Sequence, residues 1–223
     1  MKVKAVIFDQ DETLIHPETG LYDSYVEERA RDFARAYNIE DLEEARERAF
    51  KMKIEKCDDS TIALYDMMGV PRSVWYDKIN TIDVKPFLRP APELRAFLKE
   101  LKDAGLFVFL LTNSPTHQTC KIFEASGVSP ETFDRMFTWE AGKEPPKPSK
   151  KPFQAIMEEF KLAPEECVMV GNEIKVDLRT AHTLGIRTVG INLETPADAY
   201  VDFTIDKLDD LVKVIRRIER KFV

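Results

Sequence analysis

The most constraining feature of this sequence is a regular alternation of short apolar runs with amphipathic segments, which begins at Pro86 and continues to the C-terminal end. The apolar runs are typical of strands that are covered on both faces of a sheet. The first amphipathic segment starts at Pro92 and stops at Gly105, and these residue types commonly begin and end helices. Because strands that alternate with helices pair in parallel, the pattern predicts an α/β fold with helices on both faces of a parallel sheet.

Six strands and five helices are expected outside residues 16–85. The strands are predicted at residues 3–8, 106–111, 136–139, 168–170, 188–191 and 202–205. The helices are predicted at residues 92–104, 115–125, 153–160, 176–184 and 208–222, and a loop rich in Pro and Lys is predicted at residues 142–152.

Residues 16–85 interrupt this alternation with polar sequence of helical periodicity and no β-alternation. They are predicted to form four helices inserted after the first strand. The α/β core is therefore expected to consist of residues 1–15 and 86–223, with residues 16–85 as a separate helical unit.

Some polar and aromatic residues of the insertion are open to more than one interpretation. Tyr22 and Tyr25 are interpreted as core aromatics. Lys51, Lys53 and Lys56 are interpreted as a solvated helix face. No residue of the insertion is assigned to a ligand.

Charge and residue spacing argue against several functional classes. The formal net charge of −7 argues against nucleic-acid binding by bulk electrostatics. The sequence contains neither a dinucleotide-binding glycine pattern nor a P-loop, and its histidines and cysteines are not spaced as zinc ligands. No apolar run approaches 18 residues, so no membrane span is expected, and no signal-peptide pattern is present. A cytoplasmic location is expected, while the choice between monomer and homodimer stays open.

Polar residues follow the predicted strands at the points where they end. Asp9 and Asp11 come directly after the first strand, and Thr112 and Asn113 follow the strand at residues 106–111. Because the carboxyl ends of parallel strands share the sheet edge at which ligands of open α/β folds bind, we expect these residues to converge.

Two further clusters follow later in the chain. Lys147 lies in the Pro-rich loop, and Asn172, Glu173 and Asp177 follow the strand at residues 168–170. Each cluster alone has an ordinary explanation as a turn, a helix cap or a solvated side chain. Together they supply carboxylates, a hydroxyl, a cation and metal ligands. Phosphoryl transfer needs these groups, because a metal and a lysine neutralise the transferring group while a carboxylate attacks it.

The four clusters resemble, in order, the four motifs of the haloacid dehalogenase superfamily of aspartyl-phosphate-forming hydrolases. Residues 9–14, DQDETL, resemble the first motif, and LFVFLLTN ending at Asn113 resembles the second. Lys147 in KPSKKPF resembles the third, and VMVGNEIKVD ending at Asp177 resembles the fourth. The resemblance implies a three-layer, Rossmann-like core with a mostly parallel sheet, and a small α-helical cap formed by residues 16–85.

The resemblance also implies a role for each residue in the hydrolysis of a phosphomonoester. Asp9 is expected to attack phosphorus, and Asp11 is expected to act first as general acid and then as general base. Thr112 and the N–H of Asn113 are expected to hold phosphoryl oxygens. Lys147 is expected to offset the negative charge of Asp9 and the phosphate.

Mg²⁺ is the cofactor that the resemblance implies. Its expected ligands are Asp9, the backbone carbonyl of Asp11, Asn172 and Asp177, with Glu173 as a further candidate. Asn172 departs from the family, which usually has Asp at this position. Because an amide oxygen brings no negative charge, weaker Mg²⁺ binding is expected unless Glu173 or Asp177 compensates.

Three neighbouring positions, residues 11–13, are informative when the first motif is compared with that of the family. Glu12 stands where Gly is most frequent in the family, a departure that changes no expected role. Thr13 is expected to support the loop. Asp11 separates the chain from true dehalogenases, which lack this carboxylate. The resemblance therefore favours a Mg²⁺-dependent phosphatase that acts on a small phosphorylated metabolite, with no membrane and no nucleic acid as partner.

Other functions stay open at this level. A phosphomutase would share the aspartyl-phosphate intermediate, and a dehalogenase would release halide. A non-catalytic phosphate-binding protein with a decayed metal site would be consistent with Asn172. The substrate itself is not specified, so phosphoglycolate, sugar phosphates and nucleotides all remain candidates.

Overall fold

The computed structural model describes residues 2–57, 60–139, 146–193 and 195–220. Strands β1–β6 are Ala5–Phe8, Phe107–Leu111, Arg135–Phe137, Cys167–Gly171, Arg187–Ile191 and Phe203–Ile205. Helices α1–α9 are Leu21–Tyr37, Leu42–Lys56, Thr61–Met68, Arg72–Thr81, Pro92–Asp103, Thr116–Ala125, Lys151–Phe160, Arg179–Thr183 and Leu211–Arg220. The predicted α/β class is confirmed.

The six strands form one parallel sheet in the order β3-β2-β1-β4-β5-β6. In the register of the central strands, Phe8 at the end of β1 lies beside Leu110 and Val170. The N–H of Asp9 then donates to the carbonyl of Val170 at 3.0 Å. The ends of the three central strands are therefore level, so the residues that follow them meet at one edge.

Side chains of β1 alternate between the two faces of the sheet, as expected for a strand. Val6 and Phe8 are buried in the apolar cluster that includes α5 and α9. Ala5 and Ile7 are buried in the opposite cluster, which includes Phe153 of α7. Both faces are covered, which explains why the apolar run is continuous.

Helices α1–α4, called the helical insertion below, lie between β1 and α5. The side chains of Asp41 and Ser60 accept hydrogen bonds from backbone N–H groups at the starts of α2 and α3, which stabilises those starts. Phe33 and Leu64 belong to an apolar cluster within the insertion. Trp75 instead belongs to the cluster that continues into the core.

Several predicted boundaries move by a few residues. β3 ends at Phe137, because Trp139 turns away and its ring packs 4.3 Å from that of Tyr76. A 3-10 turn, Leu208–Asp210, precedes α9, so that helix starts later than expected. Residues 142–145 of the predicted loop and residues 221–222 of the predicted last helix lie outside the described residues. No helix among the described residues is long and apolar enough to cross a membrane.

Candidate active site

A cleft of about 690 Å³, including its open mouth, lies between the helical insertion and the C-terminal edge of the sheet. The side of the core contributes Asp9, Asp11, Thr112, Asn113, Lys147, Asn172 and Glu173. The side of the insertion contributes Tyr22, Tyr25, Arg29, Thr61 and Trp75. The structure thus brings residues of all four sequence clusters to one place.

Lys147 is a buried cation held between two carboxylates. Its Nζ lies 2.5 Å from Oδ1 of Asp9 and 2.6 Å from Oδ1 of Asp177, and its side chain is 1% exposed. The amide of Asn113 pairs with the backbone of Lys147: Oδ1 accepts from the N–H and Nδ2 donates to the carbonyl, both at 2.9 Å. The side chain of Asn113 therefore positions the loop that carries Lys147.

The electrostatics of this group follow from its burial. Burial raises the pKa of Asp9 and that of Asp177 to about 6, although the ammonium of Lys147 opposes the rise. Burial by itself lowers the pKa of Lys147, but the two carboxylates more than offset this and hold it above its ordinary value. Lys147 therefore stays protonated beside Asp9.

Asp11 receives a hydrogen bond on each carboxylate oxygen. Nε2 of Gln10 donates to Oδ1 at 3.1 Å, and Oγ of Ser114 donates to Oδ2 at 3.2 Å. Burial raises the pKa of Asp11, although these two hydrogen bonds oppose the rise. Ser114 was not a predicted site residue, and its position directly after Thr112 and Asn113 is the signal that could have revealed it.

Asp177 lies behind Lys147 because the chain departs from the expected helix. Residues 176–184 were predicted as one helix, but Ile174–Leu178 form a π-helical turn before α8. In this wider turn, Oδ2 of Asp177 accepts from the N–H of Glu173 at 3.1 Å while Oδ1 meets Lys147. Both carboxylate oxygens of Asp177 have protein partners, and its role as a metal ligand stays a prediction.

The close approach of Asp177 also explains a glycine. A Cβ at Gly171 would lie 2.5 Å from Oδ2 of Asp177 and 2.6 Å from its Cβ. No side chain fits there without moving Asp177 away from Lys147.

The two departures from the family motifs contact each other. Nδ2 of Asn172 donates to Oε2 of Glu12 at 3.3 Å, while its Oδ1 accepts from Thr13 at 3.3 Å. Glu12 has φ +57°, a left-handed conformation in which glycine is least strained. Nδ2 of Asn192 donates to the carbonyl of Glu12 at 2.7 Å and supports this conformation.

The donor set of the cleft suits a hard cation. Among the described residues, no three or more His, Cys, Asp or Glu side chains are grouped to hold a metal. The cleft nevertheless offers the carboxylate of Asp9, the backbone carbonyl of Asp11 and the amide of Asn172. Mg²⁺ commonly binds through one or two carboxylates plus waters and substrate phosphates, so this set fits Mg²⁺.

Lys53 is not on a solvated face, and that interpretation was wrong for this residue. Its side chain is 6% exposed, and its Nζ lies 3.0 Å from Oε1 of Glu173 on the core. Lys51 and Lys56 are exposed as expected. The signal was the spacing of Lys53 four residues after the buried Ala49, which places it on the inward face of α2.

Arg29 was also missed by the sequence analysis. It is 7% exposed, and its Nη1 donates to Oγ1 of Thr61 at 2.8 Å. Its signal is again helical spacing, because Arg29 continues the buried series of Leu21, Tyr25 and Phe33 at intervals of four residues. A charged residue within an apolar stripe marks a position where burial of the charge needs an explanation.

Comparison with known proteins agrees with this geometry. The family model described as haloacid dehalogenase-like hydrolase matches residues 3–185. A glyceraldehyde 3-phosphate phosphatase of Methanocaldococcus jannaschii is 26% identical, over 98% of this chain and 99% of its own. Pyrophosphatase PpaX of Bacillus mycoides is 24% identical, also over 98% and 99%.

A solved structure shows the same fold. The HAD-hydrolase YfnB of Bacillus subtilis, bound to magnesium, superposes with a TM-score of 0.65 at 17% identity, over 96% of this chain and 99% of its own.

Proposed function

Because the chain belongs to the haloacid dehalogenase-like hydrolases, we propose that it is a Mg²⁺-dependent phosphatase that forms an aspartyl-phosphate on Asp9. The observation that carries the proposal is the contact between Asp9 and the buried Lys147 at the edge of a cleft that Asp11 also lines. The activities for which the two relatives are named, those of a glyceraldehyde 3-phosphate phosphatase and a pyrophosphatase, support a small phosphorylated substrate.

In the first step, an oxygen of Asp9 forms a bond to phosphorus and the bond to the leaving oxygen breaks. Asp11 donates its proton to that oxygen, and the raised pKa of Asp11 supports a protonated state at this point. Lys147, Thr112 and the N–H of Asn113 offset the charge on the phosphoryl oxygens.

In the second step, Asp11 is a carboxylate and takes a proton from water. The resulting hydroxide oxygen bonds to phosphorus, the bond to Asp9 breaks, and inorganic phosphate leaves. Gln10 and Ser114 act as positioning residues, because their hydrogen bonds orient the carboxylate of Asp11.

The residues that would hold Mg²⁺ are Asp9, the carbonyl of Asp11, and Asn172. When bound, Mg²⁺ would neutralise phosphate charge and orient the substrate for attack. Glu12 contacts Asn172 and brings the negative charge that the amide lacks. We therefore assign compensation to Glu12.

Glu173 and Asp177 were the expected compensating residues, but each has another partner. Oε1 of Glu173 is bound by Lys53, and Asp177 is bound by Lys147. We propose that these two residues influence the metal site through their lysines.

We further propose that residues 16–85 form a cap that closes over the cleft and selects the substrate. The ion pair between Lys53 on α2 and Glu173 on the core supports a closed arrangement. The interdomain movement that the magnesium-bound structure of YfnB reveals supports a mobile cap.

The experiment that tests the proposed function measures phosphate release from p-nitrophenyl phosphate with and without Mg²⁺. We expect Mg²⁺-dependent release that falls by at least about 10⁴-fold in Asp9→Asn, since the nucleophile is lost. Asp23→Asn, an exposed change on α1, is the matched control and should keep full activity.

Three outcomes would contradict the proposal. Release that persists in Asp9→Asn would remove the aspartyl-phosphate from the mechanism. No release by the wild type at any Mg²⁺ concentration would favour a phosphate-binding protein, for which Asn172 is the supporting observation. Release that appears only with a bisphosphate activator would favour a phosphomutase.

A further inference from the structure

A second buried cation faces the cleft, and none of the roles above uses it. Arg29 lies on α1 of the helical insertion and lines the same cleft as Asp9 and Lys147. Only 7% of its surface is exposed. Burying a charged group without an opposite charge is unfavourable, so the surroundings of Arg29 decide what it does.

The partners of Arg29 are all neutral. Nη1 donates to Oγ1 of Thr61 at 2.8 Å, and both terminal nitrogens lie 3.4 Å from the hydroxyl of Tyr22. The guanidinium carbon lies 5.2 Å from the ring centre of Tyr22 and 5.8 Å from that of Trp75. Across the described ranges, no Asp or Glu oxygen lies within 4.0 Å of Arg29. Two hydroxyls do not use the five N–H donors of a guanidinium.

Arg29 belongs to the same electrostatic environment as the reacting groups. Glu173 acts on the charge of Arg29 and also on those of Asp9 and Asp11. Its own Oε1 is bound by Lys53. Arg29 therefore lines the same cleft as the phosphoryl site, and no carboxylate of the described residues contacts it.

We propose that Arg29, with the hydroxyls of Thr61 and Tyr22, binds a second anionic group of the substrate while the phosphoryl group to be cleaved lies at Asp9. The planar fork of an arginine matches the paired oxygens of a carboxylate or a phosphate. This inference rests on the proposed function and narrows the substrate class to small phosphates with a second carboxylate or phosphate. Glyceraldehyde 3-phosphate would offer Arg29 only neutral oxygens.

The direct test is calorimetric titration with three phosphonates, whose P–C bonds a phosphatase does not hydrolyse, at a fixed Mg²⁺ concentration. Methylphosphonate has no second anion, phosphonoacetate adds a carboxylate, and methylenediphosphonate adds a second phosphonate. We expect the wild type to bind at least one of the latter two roughly 10- to 100-fold more tightly than methylphosphonate, as expected for hydrogen bonds to a charged group. The tighter ligand identifies the second anion.

The variants locate the effect. Arg29→Gln should abolish the advantage of the second anion, and Arg29→Lys should keep part of it because the charge remains. Arg31→Gln is the matched control on the same helix, because Arg31 is bonded to Glu27 and Glu28 on the surface. It should bind all three ligands as the wild type does.

Several results would overturn the inference. One is equal wild-type affinity for all three ligands. Failure to bind either of the two ligands that carry a second anionic group would also overturn it. Another is an equal loss for all three ligands in Arg29→Gln, which would indicate a purely structural role. If Arg29→Gln fails to fold, Arg29→Lys carries the test, because it should keep only part of the advantage of the second anion.

Turnover separates this inference from the proposed function. With phosphoglycolate, Arg29→Gln should raise KM roughly 10- to 100-fold and change kcat little, whereas KM for glyceraldehyde 3-phosphate should hardly change. Ligand preference without phosphate release would contradict only the phosphatase proposal. Phosphate release without any preference would contradict only the Arg29 subsite.

Discussion

Two buried cations face one cleft from opposite sides, and their partners differ. Lys147, on the core, contacts two carboxylates at 2.5 and 2.6 Å. Arg29, on the helical insertion, contacts hydroxyls and aromatic rings. Among the described residues, carboxylates contact the first cation and none contacts the second.

This difference separates two tasks in one cleft. Lys147 contacts two carboxylates before a substrate arrives, so Asp9 keeps a defined position for attack. No carboxylate of the described residues contacts Arg29, so the binding energy that its charge supplies depends on the groups that the substrate carries. We infer that residues at the sheet edge catalyse the reaction and that residues of the helical insertion select the substrate.

The largest effect is expected from the removal of Lys147. Lys147→Met would leave two buried carboxylates without their cation, so the free energy of unfolding should fall by about 3–5 kcal/mol. The kcat for p-nitrophenyl phosphate should fall by about 10²–10³-fold or more. Arg29→Met, compared by urea unfolding, should lose clearly less stability because it leaves no unpaired charge. Equal losses of stability in Lys147→Met and Arg29→Met would contradict the difference between the two cations.

The next effect concerns how Asp177 reaches Lys147. Gly171→Ala should destabilise the protein by about 1–3 kcal/mol, because the added Cβ would collide with Asp177, and should also lower kcat. Gly190→Ala, near the end of β5, is the control. Its added Cβ would lie 2.8 Å from Cδ1 of Leu193, so this change should lower stability without lowering kcat. Thermal melts and phosphate release measure the two effects. Unchanged kcat in Gly171→Ala would contradict the positioning role of Asp177.

A smaller effect is expected at the metal ligands. Asn172→Asp should tighten Mg²⁺ binding about tenfold, because a carboxylate adds negative charge to the donor set. Glu12→Gln should weaken Mg²⁺ binding in the wild-type background, while Glu18→Gln, an exposed change nearby, should leave it unchanged. Titration calorimetry with Mg²⁺ alone measures these affinities. An unchanged Mg²⁺ affinity in Asn172→Asp would show that the amide of Asn172 does not weaken Mg²⁺ binding.

The smallest effect concerns the ion pair between the insertion and the core. A double-mutant cycle of Lys53→Met with Glu173→Gln should give a coupling energy of about 1 kcal/mol in the free energy of unfolding. The same cycle on the exposed pair of Lys51 and Glu55 should give a value close to zero. Equal coupling in the two pairs would count against a contact that holds the insertion over the cleft.

Much of the fold was predictable because its signals are local. Apolar runs and helical periodicity located the strands and helices to within a few residues. The convergence of Asp9, Thr112 and Asn172 was predictable as well, because parallel strands end at one edge and the register keeps Phe8 level with its neighbours. The predicted family is confirmed by the match over residues 3–185.

Other features could not be derived from local signals. The π-helical turn at Ile174–Leu178 depends on where Asp177 finds Lys147, which lies 30 residues earlier in the chain. The contact of Glu12 with Asn172 joins residues 160 positions apart. Helical spacing marked Arg29 and Lys53 as inward-facing, but it carried no information on what they would meet.

The amino-acid order was sufficient for the class of fold, the order of the motifs and the types of chemical group at the cleft, because these follow from periodicity and from residue identity. The packing of distant segments set which charges touch, since a few ångströms separate an ion pair from an unpaired cation and no local pattern encodes that distance. In the sequence, Lys147 and Arg29 each appear only as a residue with one positive charge. Among the described residues, two carboxylates contact the first, whereas hydroxyls and aromatic rings contact the second.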